Sequence, residues 1–223
     1  MENSPNCATC SIEMSKRLCK TPKGKSFAGC PTRNKAALTQ KAIEEYKKPD
    51  ICHFARQASI QEGEGYADKG LGYARLRPAK PRIAEIMEFA EKMGYRKLGM
   101  VFCIGLRKEA RAVAELFSSK NFSIISVICK VGCMLKKEIG VTDDQQLEPG
   151  SDEALCNPIL QAMVLNDEKT EFNVLLGLCV GHDSLFFKYA QAPCTVLAVK
   201  DRLLGHNPLA AVYTIDSYYR SLK

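Results

Sequence analysis

The chain has 223 residues, enough for one well-buried domain and a small appendage, and its 46% apolar and 26% charged residues are those of a folded protein rather than a disordered one. A formal charge of +7 would suit a nucleic-acid binder, yet Lys and Arg are interspersed with acids and form no dense block beyond the amino-terminal third, so no specific nucleic acid is expected. No apolar run reaches the roughly 18 residues needed to span a bilayer, and no basic stretch followed by an apolar core opens the chain, so a soluble, cytoplasmic protein is expected, with no membrane partner.

Residues 1–33 show little hydrophobic periodicity and carry Cys7, Cys10, Cys19 and Cys30 among Lys, Ser, Thr, Pro and Gly. So little apolar surface cannot drive folding alone, and a bound ion would be its natural nucleus. Ala, Leu, Ile and Tyr at helical spacing predict a helix over 34–48, and a second is expected over 51–62. Residues 1–62 therefore read as a cysteine-rich metal-binding segment with helices, and 63–80, with Gly, Tyr and Pro between basic residues, as a linker.

From 81 to 223 the pattern is that of an α/β domain. A helix from Pro81 to Lys92 precedes a strand over 97–103. Helices over 106–118, 158–165 and 184–191 then alternate with strands over 122–129, 172–178 and 195–199. Such alternation predicts a three-layer, Rossmann-like fold with a mostly parallel sheet covered on both faces.

Eleven cysteines are many for this length, and a reducing cytosol disfavours a disulfide framework, which leaves metal binding or thiol chemistry. Cys7 and Cys10, two residues apart, can grip one ion from a single tight turn. Cys19 and Cys30 complete a tetrahedral thiolate set suited to zinc or an iron–sulfur cluster, with a regulatory dithiol as the plainer alternative.

A second set emerges once the strands are placed. Cys103, Cys129 and Cys179 stand at the carboxyl ends of three strands, the rim where open α/β sheets bind ligands. Cys156 precedes the helix that Pro158 can begin, and its loop could lower it onto the same rim. Four thiols there suit a 4Fe–4S cluster or a soft metal, although each alone could simply fill the top of a buried strand. Gly105, Gly132 and Gly181 flank these cysteines and would admit backbone amides close to a cluster or an anion.

Lys130 and Lys200 could set positive charge beside such a group. His182 could donate a proton or replace a ligand, whereas Asp183 and Ser184 look first like a helix cap. The catalytic candidates are His182, Asp183 and Lys130. Cys194 is expected in the core, Cys52 beside His53 is expected to pack within a helix, and Cys133 has no assigned role.

Several stretches together resemble a known family: the amino-terminal cysteines ending in Cys30-Pro31, Glu88-Phe89-Ala90 through Gly94-Tyr95, Phe102-Cys103-Ile104-Gly105-Leu106, Cys129-Lys130-Val131-Gly132 and Cys156-Asn157-Pro158. The most specific is 177–208, with Gly181-His182-Asp183-Ser184-Leu185-Phe186 and Lys200-Asp201-Arg202. The family is domain-of-unknown-function family 1847, cysteine-rich proteins of archaea and anaerobic bacteria labelled as metal-binding. The resemblance covers nearly the whole chain and implies metal binding, but it supplies no reaction. Cys133 and Cys194 stand where the family pattern has other residues, so neither is taken as a ligand.

The leading expectation is an iron–sulfur protein with a cluster on Cys103, Cys129, Cys156 and Cys179, and with zinc or a second cluster on the amino-terminal set. An iron left open would permit removal of sulfur from, or reduction of, a small molecule. Two alternatives stand beside it: a non-catalytic zinc-binding carrier, sensor or interaction module, and a thiol redox enzyme working through the core cysteines beside Lys130.

Overall fold

A computed structural model describes residues 4–223, and the first three residues of the predicted cysteine-rich segment lie outside the described residues. Contacts divide the chain into two units, one up to residue 62 and one over Gly63–Lys223.

The first unit begins as a series of turns. Cys7–Thr9 is a single 3-10 turn closed by the Cys10 N–H on the Cys7 carbonyl at 3.3 Å. Arg17 ties the coil together, its Nε donating to the Ile12 carbonyl at 2.7 Å and its Nη2 to the Cys10 carbonyl at 2.8 Å. A one-residue bridge pairs Arg17 with Lys25, so tightly that a Cβ on Gly24 would overlap the Arg17 carbonyl. Three helices follow: α1 (Pro31–Asn34), α2 (Ala36–Tyr46) and α3 (Pro49–Glu64). Lys35, at φ −119 and ψ 38, leaves helical geometry and separates α1 from α2, a break that apolar spacing does not register.

The second unit opens with a small antiparallel pair, β1 (Tyr66–Ala67) and β2 (Arg77–Pro78), within the stretch read as a linker. Then come α4 (Arg82–Lys92), β3 (Lys97–Phe102), α5 (Arg107–Ser119), β4 (Ser123–Ile128), α6 (Pro158–Asp167), β5 (Phe172–Leu176), α7 (His182–Tyr189), β6 (Cys194–Ala198) and α8 (Leu209–Tyr213). Strands β3 to β6 form one parallel sheet in the order β4-β3-β5-β6, the Rossmann-like arrangement expected from the alternation of elements. Among the described residues no helix is long and apolar enough to cross a membrane.

The chain steps from β3 to β4 in one direction, and from β4 to β5 and on to β6 in the other. Because such crossovers are right-handed, α5 covers one face and α6 and α7 the other. On the α6 and α7 face, Val101, Val127 and Leu175 of the sheet pack against Ala162, Leu165 and Phe186. On the opposite face Phe89 of α4 meets Phe172 at 5.5 Å between ring centroids. Burying each such side chain contributes about 1.5–3 kcal/mol.

Gly99 in β3 sets how closely α6 approaches the sheet. A Cβ there would overlap Asn173 Oδ1 and stand 2.7 Å from Leu165 Cδ1. Asn173 is fully buried, and that same oxygen accepts the Thr170 hydroxyl at 2.8 Å. Gly99→Ala is therefore expected to destabilise the domain by about 1–3 kcal/mol through overpacking, although alanine in an open strand position would be neutral or better. Urea unfolding checks this, and an unchanged or higher midpoint would contradict the packing described.

Candidate functional site

Phe102 in β3 pairs with Ile128 in β4 and with Leu176 in β5, so these strands leave the sheet side by side at its carboxyl rim. Cys103 and Cys129 are the next residues. The Cys103 N–H donates to the Leu176 carbonyl at 3.2 Å and the Cys129 N–H to the Phe102 carbonyl at 2.9 Å, which prolongs the ladder through both cysteines. Both are buried, at 7% and 2% exposure. Cys129 Sγ accepts the Ile104 N–H at 3.3 Å.

Beyond Cys129 the chain turns through Lys130 and Gly132, makes a long excursion, and returns. Leu135 bridges Ala154, the Leu155 N–H reaches the Met134 carbonyl at 2.8 Å, and the Asn157 N–H reaches the Cys129 carbonyl at 2.7 Å. These bonds staple the returning strand to the outgoing one. Asn157 then caps α6, its Oδ1 accepting the Leu160 N–H at 3.0 Å. Cys156, held between these two anchors, stands next to Cys129 and His182, close enough for both to act on its thiol.

Cys179 follows β5 after Gly177, whose φ of +71 and closeness to Leu106 exclude a side chain. The Cys179 carbonyl accepts the His182 and Asp183 N–H groups at 3.0 and 3.2 Å, which opens α7 and turns His182 toward Cys156. Asp183 lies inside the first turn of α7 and is not its N-cap, which is Gly181; its Oδ1 accepts the Gly181 and Ser184 N–H groups. Cys179 Sγ accepts Arg202 Nη2 at 3.0 Å.

Cys156, Cys179, His182, Lys130 and Arg202, with the ion pair Lys136–Glu153 at 2.6 Å, line an open cleft of about 340 Å³. Cys103 lies outside that wall, next to Gly105 and Lys200. Lys200 Nζ and Cys103 Sγ share the space over Gly105, 3.1 and 3.9 Å from where a Cβ would stand.

The Cys129–Cys156 pair shares one proton unequally. The hydrogen bond from Cys129, then that from His182, then the charge of Lys130 hold the Cys156 thiol down at about 4. The Cys156 sulfur, then burial, push Cys129 far above the ordinary thiol range, and the Ile104 N–H opposes this without reversing it. The two shifts have opposite signs because two adjacent thiolates repel. Cys156 carries the charge, since it alone faces the histidine, the lysine and solvent.

The other cysteines do not join this group. Cys194 opens β6 half-buried, its Sγ on the Ala192 carbonyl at 3.2 Å, and burial raises its thiol pKa. Cys133 and Cys52 are exposed, so Cys52 does not pack as its helical spacing suggests. Cys7 and Cys19 are exposed, Cys10 is half-buried and Cys30 is buried. Among the described residues no three His, Cys, Asp or Glu side chains are grouped to hold a metal ion.

Arg202 and the Lys136–Glu153 pair were not singled out from sequence. A charged loop residue reads as solvated, and only the turn built on Asp201, whose Oδ1 accepts the Leu203 and Leu204 N–H groups, folds Arg202 back onto Cys179.

The model of the family described as "Protein of unknown function (DUF1847)" matches residues 30–197. That span contains Cys103, Cys129, Cys156 and Cys179 but neither Cys7, Cys10 and Cys19 nor Arg202. An uncharacterized protein of Methanocaldococcus jannaschii is 41% identical over 213 residues, covering 96% of this chain and 95% of the relative. No solved structure matches the chain.

Cys156 is expected to react with iodoacetamide at a rate that barely changes as pH rises through about 8.5, the ordinary thiol midpoint. Its thiolate is already present above the lowered pKa and is lost only as pH falls through it. Lys130→Gln and His182→Asn each remove a stabilising neighbour and should raise the midpoint by about one pH unit. Peptide mass spectrometry of timed alkylations reads this, and a Cys156 rate that climbs steadily up to the ordinary midpoint would contradict the assignment.

Proposed function

The chain belongs to the DUF1847 family of proteins of unknown function, and from the chemistry of its cleft we propose that it is a thiol-dependent redox protein acting on a small sulfur compound. What supports this is the nearness of Cys156 on the cleft wall to the buried Cys129, which lowers the one thiol and raises the other. A low-pKa thiolate beside a resolving thiol is the arrangement that disulfide exchange requires.

Cys156 sulfur attacks one sulfur of a bound disulfide, breaking that S–S bond and releasing the far half as a thiolate. Once Cys156 is in a mixed disulfide it carries no charge, so the largest of the effects that keep Cys129 protonated is gone. The Cys129 proton passes to the departing thiolate, and its sulfur attacks Cys156 Sγ and expels the second half. Two electrons leave the dithiol for the substrate, and a Cys129–Cys156 disulfide remains for an external thiol to reduce. His182 lines the cleft beside Cys156, where it could donate a hydrogen bond to the second leaving thiolate.

A second reading, a soft metal centre at the same rim, rests on four cysteines from separate segments, Cys103 and Cys129 just past strand ends and Cys156 and Cys179 on the cleft wall. The donor set fits by chemistry: soft thiolates, with the Ile104 N–H on Cys129 and Arg202 on Cys179 to offset their charge. An iron–sulfur cluster takes one thiolate per iron, so four cysteines would be the number of donors it needs. Bound there, it would supply a Lewis acid or an electron carrier. In the first unit, Cys7, Cys10, Cys19 and Cys30 would be the donors for zinc. Between residues 4 and 30 only Gly29 and Cys30 are buried, so an ion would add stability that an apolar core does not.

Oxygen-free purification followed by iron, zinc and acid-labile sulfide analysis separates the readings. Under the first, colourless protein treated with a small disulfide forms a Cys129–Cys156 link visible by peptide mapping, and Cys129→Ser stops at a mixed disulfide on Cys156. Brown protein that loses its iron on Cys103→Ser or Cys179→Ser would establish the second reading and displace the first.

A further inference from the structure

We propose that the cleft selects a small anionic substrate, a sulfur compound carrying a carboxylate or another oxyanion that Arg202 and Lys130 recognise; this rests on the thiol reading of the same site.

The charges in the wall support it. Lys136 is matched by Glu153 at 2.6 Å, and both are largely buried, so that pair is internally neutral. Lys130 donates one hydrogen bond to the Ala154 carbonyl and lines the cleft beside Cys156. Arg202 spends one N–H on Cys179 Sγ, and no carboxylate of the cleft wall is left to balance it. The neighbouring acids are engaged elsewhere, Asp201 on the Leu203 and Leu204 N–H groups and Asp183 on the Gly181 and Ser184 N–H groups.

A guanidinium has five donors in a flat fork that matches a carboxylate or another oxyanion. With one N–H on sulfur, the others remain to meet an anion beside the reacting thiol. About 340 Å³ is at the small end of ligand pockets, and Ile139, Val141 and Leu147 complete the wall with apolar surface. The fitting molecule is a short chain with an apolar middle and a charged end.

Iodoacetate and iodoacetamide differ in charge but react alike, so they read the cleft directly. On the reduced full chain, the ratio of iodoacetate to iodoacetamide rates at Cys156 should exceed that of free cysteine by about tenfold at low salt and collapse as salt is raised. Arg202→Gln and Lys130→Gln should each bring it most of the way back. A Cys156 that reacts with both reagents at the free-cysteine ratio, or a ratio untouched by Arg202→Gln, overturns the anion selection and leaves the thiol reading standing. If Cys156 reacts with neither reagent, the thiol reading fails instead. The anion site is then read by calorimetry with sodium sulfate: binding that Arg202→Gln abolishes supports it, and absence of binding to the natural protein overturns it.

Discussion

Parallel register is the constraint on which the site depends. With Phe102 opposite both Ile128 and Leu176, three strands end level, and whatever follows them is brought together without any direct attraction between the groups. The hydrogen bonds that carry the ladder through Cys103 and Cys129 hold both thiols with the rigidity of the sheet. A slip of one residue would send alternate side chains to the other face and separate them. The order β4-β3-β5-β6 adds a second effect, because the chain winds away in opposite directions from β3 and β5, and the crevice opens where those windings part.

The thiols so gathered are unequal, and the inequality comes from depth. Cys129 sits under the rim, where charge is costly, whereas Cys156 hangs from a returning loop at the cleft wall beside His182 and Lys130. A buried thiol beside an accessible one is the pairing that the proposed disulfide exchange would use. Closing the long excursion from Cys133 to Cys156 costs entropy that grows only slowly with length, and the Leu135–Ala154 bridge and the Asn157–Cys129 bond offset it.

Much of this architecture is legible in the residues. β-branched and apolar runs mark β3, β4 and β5, apolar spacing marks α4 and α5, and Pro158 marks the start of α6, because burying a face imposes a period on any regular element. Cysteines at strand ends then follow from parallel pairing. The break at Lys35 and the pair β1 and β2 left no such trace, since elements of a few residues are too short to show a period.

The amino-acid order thus sufficed for the kind of fold, for its sheet, and for placing Cys103 and Cys129 just past two paired strand ends, because hydrophobic period and strand direction are properties of local sequence. Which thiol is charged, which lies beneath it and which cations face them could be known from the folded chain alone. Lys130, Cys156, His182 and Arg202 come from separate segments, and their interaction depends on distances of a few ångströms set by a loop closure and a turn. Electrostatic effects fall off with separation in space, which the spacing of residues along a chain does not record.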